Sequence, residues 1–181
     1  MADRLDLGRP RRVHVVGVGG AGMSAIATVL ADMGHSVSGS DLKGSPGLER
    51  LRARGLDVTV GHAAENLGDV DAVTISTAVP PTNPEVVAAR ERGIPVLRRA
   101  DALAAIADTR RTIAVAGTHG KTTTSSMLAL VLVEAGLHPS FIIGGEVPGL
   151  GAGALWGPGG GVLGQARGSD GPVPQPRGPG A

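Results

Sequence analysis

No cysteine occurs in the 181 residues, so disulfides, thiolate zinc sites and a cysteine nucleophile are excluded at the outset. Aromatic residues are almost as scarce: Phe141 and Trp156 are the only two, and tyrosine is absent. Single-stranded nucleic acid, which binds by stacking bases on aromatic rings, has no platform here. An excess of either charge is missing too. Seventeen Lys and Arg against sixteen Asp and Glu leave a formal net charge of +1, too weak a field to favour nucleic acid or an anionic membrane. Apolar runs break at Gly, Asp or His well short of the roughly 20 residues that a membrane span needs. The opening, MADRLDLGRPRR, carries acids and no apolar stretch, unlike a secretory leader. The expectations are therefore no nucleic acid, no membrane and a cytoplasmic location.

Glycine is what the chain has in excess, with 30 residues unevenly spread. From Gly157 to Ala181 more than half of the residues are Gly or Pro. Such a stretch loses much backbone entropy on ordering and offers few side chains to bury, so it reads as disordered.

Upstream, β-branched runs alternate with segments of helical spacing. VHVVGV at 13–18 reads as a buried strand. A helix follows with Met23, Ile26, Val29, Leu30 and Met33 on one stripe, stopped by Gly34. Further strands are expected at 37–40, 57–60, 72–76 and 95–97, and helices at 48–54 and 99–107. Asn83 with Pro84 behind it reads as the cap and first residue of a helix ending near Gly93. This alternation predicts an α/β fold, a Rossmann-like and mostly parallel sheet with helices on both faces. A second unit begins with the strand RTIAVA at 111–116, continues through GTHGKTTT into a helix ending at Gly136, and ends on a strand over 138–143. That is the opening of a P-loop ATP-binding α/β domain, since one strand–helix–strand unit cannot cover both faces of its own sheet. The expected organisation is an N-terminal extension over 1–11, a Rossmann-like domain over 12–108, an incomplete second domain over 109–150, and a disordered Gly/Pro-rich tail over 151–181.

Two glycine loops carry the chemistry. The first runs from Gly17 through Val18, Gly19, Gly20 and Ala21 to Gly22, a G-x-G-x-x-G run between a strand and a helix. Gly17 permits the tight turn, Gly19 lets a pyrophosphate approach the backbone, and Gly22 lets the helix pack near the strand. The helix N-terminus adds free N–H groups and partial positive charge. Asp41 ends the second strand, where an acid commonly meets a ribose hydroxyl. Any diphosphate nucleotide fits this geometry. The second loop, Gly117-Thr118-His119-Gly120-Lys121-Thr122-Thr123, is a shortened P-loop. Its amides would wrap phosphate oxygens, Lys121 would serve the β and γ phosphates as the catalytic cation, and the Thr122 hydroxyl would face Mg²⁺. His119 would touch nucleotide or shape the turn. A nicotinamide oxidoreductase would explain the first loop and leave the second without a task.

VHVVGVGGAGMSAIA, SGSD at Ser38–Asp41, NPE at Asn83–Glu85, GTHGKTTT at Gly117–Thr124 and IIGGEV at Ile142–Val147 resemble the Mur ligases in order and spacing. Within that family the resemblance is to the members that join L-alanine to UDP-N-acetylmuramate. It implies a UDP-sugar whose diphosphate rests on Gly17, Gly19, Gly20 and Gly22, with Asp41 near the nucleoside and Ser76 by the substrate cleft. It implies ATP on Gly117–Thr123 with Mg²⁺, and an acyl phosphate that the amine of L-alanine attacks. A sibling ligase that reattaches a recycled peptide to the same sugar is the nearer alternative, and a non-catalytic UDP-sugar-binding fragment the farther one.

The resemblance covers residues 12 to about 156. Family members continue with an acidic EADESDG motif and further domains, so the chain reads as an N-terminal portion that binds nucleotide without most of the catalytic region. Gln165-Ala166-Arg167-Gly168-Ser169-Asp170-Gly171 aligns with that motif but sets a neutral amide where a metal carboxylate is expected. The changes run toward Gly, Pro, Arg and Gln, as a decayed or misread segment would give. The remaining His residues lack metal spacing. His14 reads as core or edge, Arg90, Arg92, Arg98 and Arg99 as a solvated face, and Met23, Met33 and Met127 as core filler.

Overall fold

The computed structural model describes residues 5–164. Its first sheet contains strands β1 (Arg12–Val16), β2 (Ser36–Asp41), β3 (Asp57–Val60), β4 (Ala72–Ile75) and β5 (Val96–Arg98), all parallel in the order β3-β2-β1-β4-β5. Helices α1 (Ala21–Asp32), α2 (Pro46–Ala53), α3 (Pro84–Glu91) and α4 (Arg99–Ala107) connect or follow these strands, and a 3-10 turn over Ala64–Leu67 links β3 to β4. The order reverses between β1 and β4, which makes their carboxyl ends the switch point where ligands bind in such sheets.

The alternation of β1 sorts the faces. Val13 and Val15 join Met23, Ile26, Val29 and Leu30 of α1, Leu48 and Leu51 of α2, and Leu103 and Ile106 of α4 in one core. Val16 turns the other way, onto Leu67, Val73 and Ala89 under α3. Each fully buried aliphatic side chain of this kind stabilises the fold by about 1.5–3 kcal/mol relative to exposure. Arg12 fixes the start of β1 through ion pairs with Asp69 and Asp71. Residues ahead of β1 also dock: Leu7 is buried in the first core.

The second sheet holds β6 (Thr112–Val115), β7 (Ser140–Val147), β8 (Ala152–Leu155) and β9 (Gly161–Gly164) in the order β6-β9-β7-β8. β9 runs parallel to both β6 and β7, whereas β8 is antiparallel to β7. Helix α5 (Lys121–Glu134) lies on one face, with Ala129 buried against Phe141, Ile143, Val147 and Val162. The opposite face points Ile142 and Leu163 into the core that contains Val29 and Ile106. Helix α1 is thereby packed between the two sheets, and the first unit supplies the cover that the second lacks.

Two expectations need correction. Residues 151–164 are not a structureless tail, for they form β8 and β9. The glycines permit backbone contact no side chain would tolerate: a Cβ on Gly159 would collide with the Leu137 carbonyl oxygen. Arg110 ties the turn down through the carbonyls of Gly157 and Gly159 and lies over Trp156, 3.4 Å from the ring centroid. Met127 is not core filler but 63% exposed, on an outer α5 face with Val131. Gln165–Gly171, the segment aligned with the acidic motif, lies outside the described residues.

Candidate functional site

Gly17, with φ of +79°, turns the chain out of β1. Its N–H and that of Val18 donate to the Ser40 carbonyl at 2.8 and 3.0 Å, so the loop is moored to the end of β2. Asp41 follows, and its Oδ2 accepts the Gly19 N–H at 2.8 Å. Ser45 caps α2 by accepting from Leu48 N at 3.2 Å. Gly47 lies so close to the loop that a Cβ there would come 2.9 Å from the Gly19 carbonyl oxygen. Ser76, just past β4, sets its Oγ against Gly17, 3.1 Å from where a Cβ would stand. Gly17, Asp41 and Ser76 thus meet at the carboxyl ends of β1, β2 and β4.

The glycines of this loop differ in their surroundings. The side of Gly19 where a Cβ would stand is already filled by Asp41 and Ser45. A Cβ on Gly20 would meet nothing nearer than the Gly17 carbonyl oxygen at 3.6 Å, so its approach is the open one. The three atoms nearest to where a Gly22 Cβ would stand all belong to the Arg99 guanidinium. The amides of Ala21 and Gly22, the first two of α1, have no acceptor among the described residues and remain available to an anion. A cleft of about 210 Å³ runs beside this helix end, lined by Ala21, Ser24, Gly47, Arg50 and Ala152.

Beneath the loop lies a buried polar cluster that sequence reasoning missed. Glu85, fully buried, sits in the first turn of α3, where the helix dipole favours an acid. Its carboxylate accepts from Ser40 Oγ at 2.6 Å and Asn66 Nδ2 at 2.6 Å. His62 Nδ1 lies 3.3 Å and His14 Nε2 3.7 Å from Oε2. Burial pushes the Glu85 carboxyl up, but His14, Ser40 and Asn66 outweigh it and hold the pKa at about 2. Ser40 therefore links the loop, through its carbonyl, to a buried charge, through its hydroxyl. The NPE triplet was the available signal, with Asn83 Oδ1 capping α3 by accepting from Glu85 N at 2.9 Å.

The second loop joins β6 to α5. Gly117, Thr118, His119 and Gly120 are exposed, and Thr122 and Thr123 form the exposed first turn of the helix. Gly120 caps that helix at φ of +76°, a left-handed conformation that glycine adopts without strain. Lys121 folds back, its Nζ donating to the Gly117 and Thr118 carbonyls at 2.6 and 3.2 Å. On the adjoining strand Gly164 pairs with Val115, and a Cβ there would fall 2.7 Å from Ser125 Oγ. Among the described residues no group of three His, Asp or Glu could hold a metal. Thr122 offers one hydroxyl, so Mg²⁺ would have to ride chiefly on phosphate oxygens.

Both loops, Gly17–Gly22 and Gly117–Thr123, lie at strand–helix junctions, β1 to α1 and β6 to α5. The family model described as Mur ligase family, catalytic domain, matches residues 12–111, more than half of the chain. The chain belongs to the Mur ligase family. Its relatives include the UDP-N-acetylmuramate–L-alanine ligase of Solidesulfovibrio magneticus, 54% identical over 161 residues that make up 89% of this chain and 35% of that one. Among solved structures, the UDP-N-acetylmuramate–alanine ligase of Thermotoga maritima superposes with a TM-score of 0.76 at 35% identity, over 84% of this chain and 36% of that one. A ligase from Neisseria meningitidis that takes UDP-N-acetylmuramate and L-alanyl-γ-D-glutamyl-meso-diaminopimelate gives 0.77 at 32% identity, over 86% and 52%. The chain spans about a third of the length of the curated relatives it matches. No helix among the described residues is long and apolar enough to cross a membrane.

Proposed function

We propose that this Mur ligase chain is the UDP-sugar-binding and phosphate-loop part of an ATP-dependent ligase that joins L-alanine to UDP-N-acetylmuramate in peptidoglycan precursor synthesis. The observation that carries the reading is the pair of backbone cradles, Gly17–Gly22 and Gly117–Thr123, on successive α/β units of one chain. The 54% identity to a protein named for this reaction favours L-alanine over a recycled peptide. The second loop gives no support to an oxidoreductase.

In this reading residues 12–108 hold the UDP-sugar, and residues from 109 onward hold ATP. The free amides of Ala21 and Gly22 and the open side of Gly20 receive the diphosphate, while Asp41 turns toward the ribose. Lys121 leaves the Gly117 and Thr118 carbonyls for the β and γ phosphates, a move that replaces two neutral acceptors by charged ones. The γ-phosphoryl group passes to the lactyl carboxylate, releasing ADP and leaving an acyl phosphate. The alanine amine attacks the acyl carbon, and phosphate departs as the amide forms. Catalysis of this kind is mainly positioning and charge stabilisation. Mg²⁺ bound to the nucleotide would neutralise phosphoryl charge, with Thr122 as the one contact the described residues offer.

Titration of the chain with UDP-N-acetylmuramate and with NADH tests the binding half. Saturable binding of the UDP-sugar is expected, and binding of NADH alone overturns the reading. In the whole protein, phosphate release from ATP should require both UDP-N-acetylmuramate and L-alanine. Release that ignores L-alanine overturns the reaction.

A further inference from the structure

Arg99 opens α4, and by spacing it belonged to a solvated face. The structure puts it elsewhere. A Cβ on Gly22 would lie 2.6 Å from Arg99 Cζ and 2.8 and 2.9 Å from its two terminal nitrogens. The last glycine of the first loop is thus the surface against which the planar guanidinium rests. Arg99 Nε is buried and has no hydrogen-bond partner, and the guanidinium makes no ion pair among the described residues. Burial lowers its pKa from the ordinary arginine value.

Two penalties coincide here. A partly buried cation without a partner gives up hydration for nothing. This one also sits beside the first turn of α1, the positive end of a helix dipole, whose Ala21 and Gly22 amides are themselves without acceptors. Both penalties become attractions when an anion lies between the guanidinium and the helix end. A guanidinium fork matches the paired oxygens of a phosphate.

We propose that Arg99 is the cationic clamp of the first loop, holding the diphosphate of a nucleoside diphosphate ligand against the amides of Ala21 and Gly22. The proposal rests on the reading of that loop as the seat of the UDP-sugar and names the side chain that supplies its positive charge. Arg99 acts on binding and orientation, not on the bonds that change.

The test is calorimetric titration of the chain and its variants with UDP and with uridine, which lacks phosphate. UDP should bind the unaltered chain more tightly than uridine does. Arg99→Gln should weaken UDP by about tenfold to a hundredfold, the range of a charge-assisted contact, and leave uridine unchanged. Arg99→Lys should fall between, since it keeps charge and loses the fork. Gly22→Ala separates binding from folding: alanine favours a helix over glycine, so thermal stability should hold or rise while UDP affinity falls as in Arg99→Gln. Unchanged UDP affinity in both Arg99→Gln and Gly22→Ala overturns the clamp and leaves the loop reading standing. A chain that does not bind UDP at all overturns both. UDP affinity that falls with Lys121→Ala and not with Arg99→Gln moves the diphosphate to the other loop and likewise overturns the clamp.

Discussion

Asp41 Oδ2 accepts the backbone N–H of Gly19 at 2.8 Å, so a carboxylate of the chain itself holds an amide of the first cradle. A second anion reaching that amide must displace it or approach from the open side of Gly20. Asp41→Ala removes the competitor and its repulsion. Inorganic pyrophosphate, which has no ribose for the acid to hold, should then bind about three- to tenfold more tightly. UDP-N-acetylmuramate should not gain, because it loses its ribose contact. Titration with both ligands checks the contrast, and an equal gain for both would remove Asp41 from the ribose.

Glu85 should give the fold an acid-sensitive limb. Its carboxyl is held at about 2 against an ordinary 4.5. A depressed carboxyl contributes stability that is complete above pH 4.5 and is lost as pH falls toward 2. Glu85→Gln keeps the shape and deletes the charge. The stability difference between pH 6 and pH 3, read from urea unfolding, should shrink by about 2 kcal/mol in the variant.

His35 should add a milder dependence at higher pH. Its Nδ1 accepts the Arg11 N–H at 3.1 Å, and burial, with help from Arg11, lowers its pKa below 6.5. The fold therefore favours the neutral ring, and stability contributed by His35 is lost as pH falls through 6.5. His35→Gln should flatten the stability profile in that window, again by urea unfolding.

Lys121→Ala should abolish ATP binding, and leave UDP binding in place, at small cost to the fold. Among the described residues its ammonium group hydrogen-bonds to the loop carbonyls of Gly117 and Thr118. Removing it should leave the melting temperature within a few degrees, because exposed contacts contribute about 1 kcal/mol or less. The upward shift of that temperature with added ATP should vanish.

Phe141→Ala probes how the two sheets depend on each other. Phe141 is 2% exposed in the core under α5, and its truncation should cost about 3–5 kcal/mol. That core lies apart from the one holding β1 and α2. Hydrogen exchange should accelerate in β6, β7 and β9 well before it does in β1 and β4.

The first sheet was legible because each of its signals is local. Asn83 and Pro84 mark a helix start, Gly34 and Gly93 mark stops, and VHVV has no other economical use than a buried strand. The glycine loops announced themselves by spacing. What remained hidden depended on distant partners. Glu85 looks like any acid in a first helical turn until β2 brings Ser40 to it and the 3-10 turn brings Asn66. Arg99 sits among other arginines in sequence and is singled out only by Gly22, 77 positions earlier. Composition also misled over β9, because Gly161 and Gly164 there leave room for the side chains of Thr112 and Ser125.

β9 lies between β6 and β7, although it follows both along the chain. Until β9 has been made, β6 and β7 lack the strand that pairs with both of them in the fold. Neither can satisfy the other at that spacing, and bare strand rows recruit foreign strands. The order β6-β9-β7 is complete only once the glycine-flanked β9 has paired with both neighbours. Translational pausing ahead of Gly161 should therefore increase the yield of misassembled chains, and fast synthesis through it should protect them.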